Sequence, residues 1–134
     1  MKIKITKEVH NMIVKQLLYN TSEMIGIIGS TGNNTIDKFL FDARAVSEKY
    51  YCKLSFPCSS VFSRLTRAYF VGIVHSHPPG KHMLSDADII YAQKIISASK
   101  SLQFIIMGIV SDYSLYLYLV RISDVTSLDL FIIE

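Results

Sequence analysis

The unbroken run YFVGIVH, residues 69–75, constrains the fold of this chain more than any other segment. A short continuous run of apolar and β-branched residues that ends at once in the breaker string HPPG is typical of a buried strand. This strand delivers His75 and His77 to the loop that follows. Because side chains two residues apart on a strand point to the same side, both imidazoles are expected to approach one point, with Ser76 facing away.

The other segments predict helices and further strands around this one. Thr6 caps an amphipathic helix that ends near Asn20, and Ser85 caps a second helix that reaches about Ser99. Since several strands are joined by short turns, some must pair antiparallel. The predicted fold class is therefore α/β, with a mixed, partly antiparallel sheet flanked by helices. The remaining predictions are strands at residues 24–28, 35–46, 50–56, 102–110, 114–122 and 128–134, and a short helix at 60–69.

Length and composition exclude several classes of protein. A chain of 134 residues fits one domain, residues 1–134. The longest apolar run, residues 104–110, is far shorter than the roughly 20 residues of a membrane helix, and no secretory signal begins the chain, so a cytoplasmic protein is expected. The net charge of +3 is not gathered into a basic block, which argues against nucleic-acid binding.

Cys52 and Cys58 lie in an apolar flank without zinc-ligand spacing and are expected to be reduced and packed.

The paired histidines predict a metal site. A catalytic zinc ion takes three protein ligands and leaves one position for water. Asp88 is the expected third ligand beside His75 and His77, because it lies in the first turn of the second helix, directly after the loop that the histidines begin. Residues 85–88 also fit a plain capping box, and only the His pair favours the metal interpretation. One Zn²⁺ per chain is therefore predicted.

Where a zinc site activates water for hydrolysis, a base is also needed that takes a proton from the water and returns it to the leaving group. Glu23 is the natural choice because it stands at the start of a buried strand, although without a metal site it would be an ordinary strand-entry charge. His10 is given no role. His82 is likewise expected to be an ordinary packed or surface residue, although it lies close enough to the site to touch a substrate.

Together these residues resemble the JAMM (MPN-plus) metalloproteases. The motif consists of Glu23 with Gly26, the string HSHP at residues 75–78, and Ser85 with Asp88. The resemblance implies zinc bound by the two histidines and the aspartate, Glu23 as general acid and base, Ser85 as hydrogen-bond donor to the oxyanion, and a sheet flanked by helices, similar to cytidine deaminases. Gly29 one residue early, and Leu84 in place of a proline, depart from the family pattern without removing a chemical group.

The resemblance implies an isopeptidase or peptidase acting at the C-terminal tail of a ubiquitin-like protein or its conjugates. The single short helix after Asp88 is similar to minimal, prokaryotic members. A non-catalytic MPN scaffold and a RadC-like protein remain alternatives, although Ser76 differs from the asparagine of the RadC motif. A deaminase lacks support because its His-x-Glu and Pro-Cys-x-x-Cys ligands are missing. The oligomeric state is left open.

Overall fold

The computed structural model describes residues 2–55, 69–99 and 101–134, which form ten strands and two helices. Neither of these two helices has the length and apolar character that a membrane crossing requires. The elements in chain order are β1 (Lys2–Thr6), α1 (Lys7–Gln16), β2 (Ile25–Ser30), β3 (Thr35–Ile36), β4 (Lys38–Phe41), β5 (Val46–Glu48), β6 (Tyr51–Lys53), β7 (Tyr69–Ser76), α2 (Asp86–Ala98), β8 (Ile105–Ser111), β9 (Ser114–Val120) and β10 (Val125–Ile133).

Eight strands form one mixed sheet in the order β3-β1-β10-β9-β8-β7-β2-β4, and β5 and β6 form a separate antiparallel pair. The pairs β7–β8, β1–β10 and β1–β3 are parallel, and the other pairs of the large sheet are antiparallel. Parallel neighbours need a crossover connection, and α2 lies on the connection from β7 to β8. The predicted α/β class with a mixed, partly antiparallel sheet is confirmed.

Each face of the sheet buries its own apolar cluster. On one face Val9, Ile13 and Leu17 from the α1 segment pack with sheet residues that include Val74. On the other face Ala92, Ile95 and Ile96 of α2 pack with sheet residues that include Ile73. Burying one such aliphatic side chain contributes about 1.5–3 kcal/mol. Val74 and Ile73 lie on opposite faces because neighbouring residues of β7 alternate. The same alternation places His75 and Ser76, which follow in β7, on opposite faces.

β1 was absent from the sequence prediction. Its residues alternate between exposed Lys2 and Lys4 and buried Ile3 and Ile5, a period of two in a segment too short to stand out. β1 exists because β10, from the far end of the chain, pairs with it in parallel register.

The first helix is shorter than predicted. α1 ends at Gln16, and Leu17 caps it with a backbone N–H that donates to Ile13 O. Leu17 is the last member of the buried stripe, and no apolar residue follows at helical spacing, so nothing holds the next turn against the sheet. The prediction of a helix reaching Asn20 was wrong for this reason.

The predicted strand at residues 35–46 is divided in two. Asp37 separates β3 from β4, and its N–H donates to Gly29 O at 3.2 Å. Since β3 and β4 lie at opposite ends of the strand order, the sheet must curl to bring its two ends to this one residue. β4 passes so close to β2 that a Cβ on Gly26 would lie 2.7 Å from Leu40 O, which explains the glycine in the Glu-x-x-Gly motif.

The other strand predictions are confirmed with adjusted bounds. β2 begins one residue later than predicted and extends to Ser30, and the predicted strand at residues 50–56 is reduced to β6 among the described residues. The three strands that close the chain are β8, β9 and β10. Of the predicted helix at 60–69, residue 69 begins β7, and the remainder lies outside the described residues, as does Cys58.

Candidate metal centre

The end of β7 places both histidines on the α2 side of the sheet. His75 follows Ile73 on that face and is 2% exposed, and His77, just beyond the strand, is 6% exposed. Their Nε2 atoms lie 2.9 Å apart. Ser76 is on the opposite side, where its Oγ accepts a hydrogen bond from Met24 N at 2.8 Å. The alternation of a strand therefore produces two imidazoles that converge on one point.

Asp88 reaches the same point from α2. Its Oδ1 lies 3.1 Å from His75 Nε2, and its Oδ2 lies 3.1 Å from His77 Nε2. The same residue completes a capping box, because Asp88 N donates to Ser85 Oγ at 3.1 Å and Ser85 N donates to Asp88 Oδ2 at 2.9 Å. The capping interpretation and the metal interpretation are thus not exclusive. The cap fixes the side chain that faces the histidines.

The spacing of these donors fits a metal ion. In a tetrahedral zinc site with bonds of about 2.0–2.1 Å, neighbouring ligand atoms lie about 3.3 Å apart. The observed separations of 2.9, 3.1 and 3.1 Å are close to that value. His77 Nδ1 lies 3.2 Å from Lys81 O, and because a carbonyl only accepts, the hydrogen sits on Nδ1 and the Nε2 lone pair of neutral His77 is free for a metal. Two imidazoles and a carboxylate form a donor set typical of zinc.

Glu23 completes the cluster through the register of β2 with β7. Ile25 pairs with His75, and Ser76 N donates to Met24 O at 2.9 Å, so the next pair along the two chains is Glu23 and His77. Paired residues of antiparallel strands share a face. The Glu23 side chain is 5% exposed, and its carboxylate and the two imidazoles offer ligand atoms that all lie within 4.8 Å of one another.

Two donor sets therefore share the two imidazoles, one completed by Asp88 and the other by Glu23. Asp88 lies at ligand-to-ligand distance from both histidines, whereas Glu23 forms no ion pair with either of them within the described residues. Asp88 therefore lies nearer to both imidazoles than Glu23 does, and Glu23 lies beside them.

The three ionisable groups shift one another's pKa. Burial raises the pKa of Asp88, but hydrogen bonds from His75 and His77 lower it by more, and it falls far below its usual range. Burial lowers the pKa of His77, and the hydrogen bond and charge of Asp88 more than reverse this, so the pKa of His77 is raised. Burial raises the pKa of Glu23, with the two histidines opposing. Asp88 therefore stays ionised, whereas the pKa of Glu23 is moved toward neutral pH.

Cys52 is a contact that the sequence did not reveal. Its Sγ lies 3.7 Å from Glu23 Oε1, close enough for the thiol to donate to the carboxylate, and burial raises the pKa of this thiol. The backbone of Glu23 is held as well, since Glu23 N donates to Glu48 O at 2.7 Å and Ser47 Oγ donates to Glu23 O. The β5–β6 hairpin therefore fixes Glu23. The apolar flank of Cys52 predicted packing, and Cys52 does pack against the α2-side cluster.

The loop between the two ligand-bearing elements is anchored to the turn between β8 and β9. Asp112 Oδ2 accepts from Gly80 N at 3.0 Å and lies 2.9 Å from His82 Nε2. The His82 ring stacks on Tyr116 with centroids 4.5 Å apart, and Tyr118 donates to His82 O at 2.6 Å. His82 thus has a structural role among the described residues, and the expectation that it touches a substrate stays untested. His10 is on α1, beside Asn11.

Clefts open on both sides of the imidazole pair. One, of about 340 Å³, runs between β6 and α2, and Glu23, Ser85 and Asp88 contribute to its lining. The other, of about 590 Å³, lies between the end of α1 and the β8–β9 turn, and His77 contributes to its lining.

Comparison with known proteins gives matches only at the level of structure. No protein-family model and no curated protein matches this chain. A JAB1/MPN domain protein from Archaeoglobus fulgidus aligns over 98% of both chains, with 15% identity and a TM-score of 0.59. A protein from Desulfitobacterium hafniense aligns over 100% of this chain and 94% of its own, with 16% identity and a TM-score of 0.66.

A third structure, described as JAMM, a metalloprotease-like zinc site in the proteasome and signalosome, covers both chains completely, with 16% identity and a TM-score of 0.56. At 15–16% identity, the structural similarity shows the fold alone. The site described above contains a group of side chains that can hold a metal ion. The chain therefore has the JAB1/MPN domain fold that its sequence motif predicted.

Proposed function

We propose that this protein is a zinc-dependent peptidase of the JAMM type, which hydrolyses an amide bond at the C-terminal tail of a ubiquitin-like protein or of its conjugates. The observation that carries the proposal is the convergence of His75, His77 and Asp88 at 2.9–3.1 Å from one another, with Glu23 beside them. Such convergence of buried ionisable groups is typical of functional sites.

His75, His77 and Asp88 would hold the zinc ion. When bound, zinc supplies Lewis acidity, which polarises the amide carbonyl and makes water more acidic. The residues around it determine how readily it binds. Asp88 is kept ionised by its neighbours, and the carbonyl of Lys81 orients the ring of His77, so the charge of one ligand and the orientation of the other are set by protein contacts.

Glu23 would act as the general base and then as the general acid. It takes one proton from the attacking water while the new C–O bond forms, and it gives that proton to the nitrogen as the C–N bond breaks. Burial raises the pKa of Glu23, which brings it nearer to the pH at which a carboxylate both accepts and returns a proton efficiently. The Cys52 thiol and the β5–β6 backbone hold it in place.

Ser85 would donate a hydrogen bond to the oxyanion that forms on attack. Its Oγ already accepts the N–H of Asp88, and the hydroxyl hydrogen is not used in any hydrogen bond within the described residues. The side chain is exposed on the cleft between β6 and α2. A donor held by a helix cap and directed at a substrate oxygen stabilises charge that develops only in the transition state.

Metal analysis and a cleavage assay test the proposal together. The purified protein, handled without chelators, is expected to contain about one zinc per chain, in line with a three-ligand site. With a panel of ubiquitin-like fusions, we expect cleavage that a zinc chelator abolishes and that added zinc restores. Bound zinc with no cleavage of any fusion would contradict the substrate assignment, and absence of zinc would favour a non-catalytic scaffold.

The Glu23→Gln variant tests which carboxylate, Asp88 or Glu23, completes the metal site with the two histidines. If Glu23 is the base, this variant keeps its zinc and loses activity by at least about 100-fold, the usual contribution of a general base. Loss of zinc would instead make Glu23 a ligand. Full activity with full zinc content would remove Glu23 from the mechanism.

A further inference from the structure

The cleft between β6 and α2 has two lysines as the charged members of its lining, apart from the residues of the metal site. We name it the lysine cleft and define it by Lys53 of β6 and Lys94 of α2, which both contribute to its lining. Both are exposed, and neither forms an ion pair within the described part of the chain. The acidic members of the lining, Glu23 and Asp88, belong to the metal site. Their negative charge would be offset by a divalent cation, and the rim would remain positive.

Two more lysines stand at the same mouth. Lys49 Nζ lies 5.2 Å from the centroid of the Tyr50 ring, and Lys81 Nζ lies 5.7 Å from it. Tyr50 itself contributes to the lining of the lysine cleft. Lys49 and Lys81 also form no ion pair with any described residue, Glu48 and Asp86 of the flanking elements included. Unpaired like charges gathered at one opening attract an anionic partner.

The walls of the lysine cleft are fixed to one another. Leu54, directly after β6, is buried in the α2-side cluster, and its N–H donates to the Tyr91 hydroxyl of α2 at 3.3 Å. Tyr50, Tyr51 and Tyr91 give the cleft broad aromatic surfaces between the lysines. A preformed groove of about 340 Å³ with flat apolar walls and charged edges suits an extended peptide.

The second cleft differs in charge. Its lining contains Lys15 together with Asp112, whose carboxylate accepts from Gly80 N and pairs with His82. Asp112 is not a metal-site residue, so its charge and that of Lys15 offset each other and give that opening no strong preference for anionic or cationic ligands. Of these two clefts, only the lysine cleft gathers basic side chains outside the metal site.

We propose that the lysine cleft selects substrates that carry acidic residues, or a free terminal carboxylate, on one side of the cleaved bond. The proposal rests on the peptidase function above for its consequence in catalysis, but the binding step does not require hydrolysis. Lys53 and Lys94 make the direct contacts, and Lys49 and Lys81 steer the anionic chain toward the opening.

A binding experiment tests this without depending on turnover. Fluorescent peptides that are identical except for Asp/Glu, Asn/Gln or Lys/Arg at the variable positions, each with a free or an amidated C-terminus, are titrated by anisotropy into zinc-loaded Glu23→Gln protein. We expect the acidic peptides to bind about 10-fold more tightly than the neutral ones, with the advantage reduced at about 0.5 M salt by screening. A gain seen only with a free C-terminus identifies the terminal carboxylate as the group that binds.

Charge variants locate the effect. Lys53→Glu with Lys94→Glu should reverse the preference in favour of basic peptides, and Lys53→Gln with Lys94→Gln should remove it. The matched control is Lys2→Glu with Lys4→Glu on β1, which changes the net charge equally but lies four strands away from β7 in the sheet order. Equal affinity for acidic and neutral peptides, or a preference that survives in the glutamate double variant, overturns the proposal.

Activity assays separate this proposal from the proposed function. In the wild-type protein the acidic peptides should show a lower KM with little change in kcat, since they differ only in binding. If no peptide is cleaved but the anisotropy preference and its reversal are observed, the peptidase function fails and the binding surface stands. If neutral and acidic peptides are cleaved with equal KM, the peptidase stands and the lysine cleft fails.

Discussion

The two helices of this protein begin in the same way and use that beginning differently. In α1 the cap Thr6 accepts from the N–H of Val9 at 3.3 Å, and in α2 the cap Ser85 accepts from the N–H of Asp88 at 3.1 Å. Val9 and Asp88 are both the third residue of their helix, and both face the sheet. Val9 packs into the apolar core, whereas Asp88 meets His75 and His77. The third residue of each helix is therefore apolar where the sheet is apolar and acidic where the sheet carries the two histidines.

The helices also differ in what holds their first turns. α1 follows β1 without an intervening residue, so the hydrogen bonds between β1 and β10 fix its start. α2 follows a loop of several residues that is anchored by side chains, chiefly through Asp112. Because side chains hold this loop, a single substitution can change the position of the first turn of α2.

The largest effect is expected for Asp88→Asn. The amide keeps the oxygen that accepts from Ser85 N but loses the charge that a metal needs, so zinc affinity should fall by more than about 100-fold, beyond the loss typical of residues that only support a ligand. Titration with a competing chelator measures this. Glu8→Gln in the first turn of α1 removes the same charge from the other helix and should leave zinc affinity unchanged. Equal zinc affinity in Asp88→Asn and wild type would exclude Asp88 as a ligand.

A smaller effect is expected when each cap is removed. Ser85→Ala and Thr6→Ala should each lower the free energy of unfolding by about 1 kcal/mol, the usual value of an N-cap. Only Ser85→Ala should also lower kcat, by about 100-fold, because it removes an oxyanion donor. Denaturant titration and steady-state kinetics give the two quantities. A normal kcat in Ser85→Ala would reduce this residue to a cap, as Thr6 is.

Loosening the loop before α2 should weaken the site without abolishing it. Asp112→Ala removes the acceptor for Gly80 N and the partner of His82, and we expect zinc affinity to fall by about 10-fold, as for other supporting contacts around a metal. Asp124→Ala, which breaks an exposed pair with Arg121 between β9 and β10, is the control. If both variants bind zinc as tightly as wild type, the loop holds its position without Asp112.

The smallest and most gradual effect is the pH dependence of the metal-free protein. The pKa of His77 is raised, so its stabilisation is present below its unfolded value near 6.5 and is lost as pH rises through the folded pKa. The pKa of Asp88 is lowered, so its stabilisation is present above its unfolded value near 3.8 and is lost only as pH falls toward the folded pKa. Metal-free protein should therefore be most stable in mildly acidic solution.

Zinc should reverse the trend on the alkaline side, because it needs unprotonated imidazoles and binds more tightly as pH rises. Denaturant titrations over a pH series, with chelator and with zinc, measure both curves. Metal-free protein that gains stability from mildly acidic to alkaline pH would contradict the assigned coupling between His77 and Asp88.

Several elements could be predicted because their signals are local. The apolar run of β7 and the strands that close the chain follow from short windows of sequence, and so does α2 from its cap and its periodic face. β1 could not be predicted with equal ease, since KIKIT gains its partner only from β10 at the far end of the chain. The division at Asp37 depends likewise on how the sheet curls, which no window of sequence contains.

The sequence by itself determined the pairing of His75 with His77 and the capped start of α2, because strand alternation and helix capping act over two or three residues. The tertiary structure alone decided that Glu23 lies opposite His77, that Cys52 contacts Glu23 and that Asp112 anchors the loop. These contacts depend on strand register and on turns distant in the chain. Register is selected by the burial of whole faces, so it exists only once the sheet has formed.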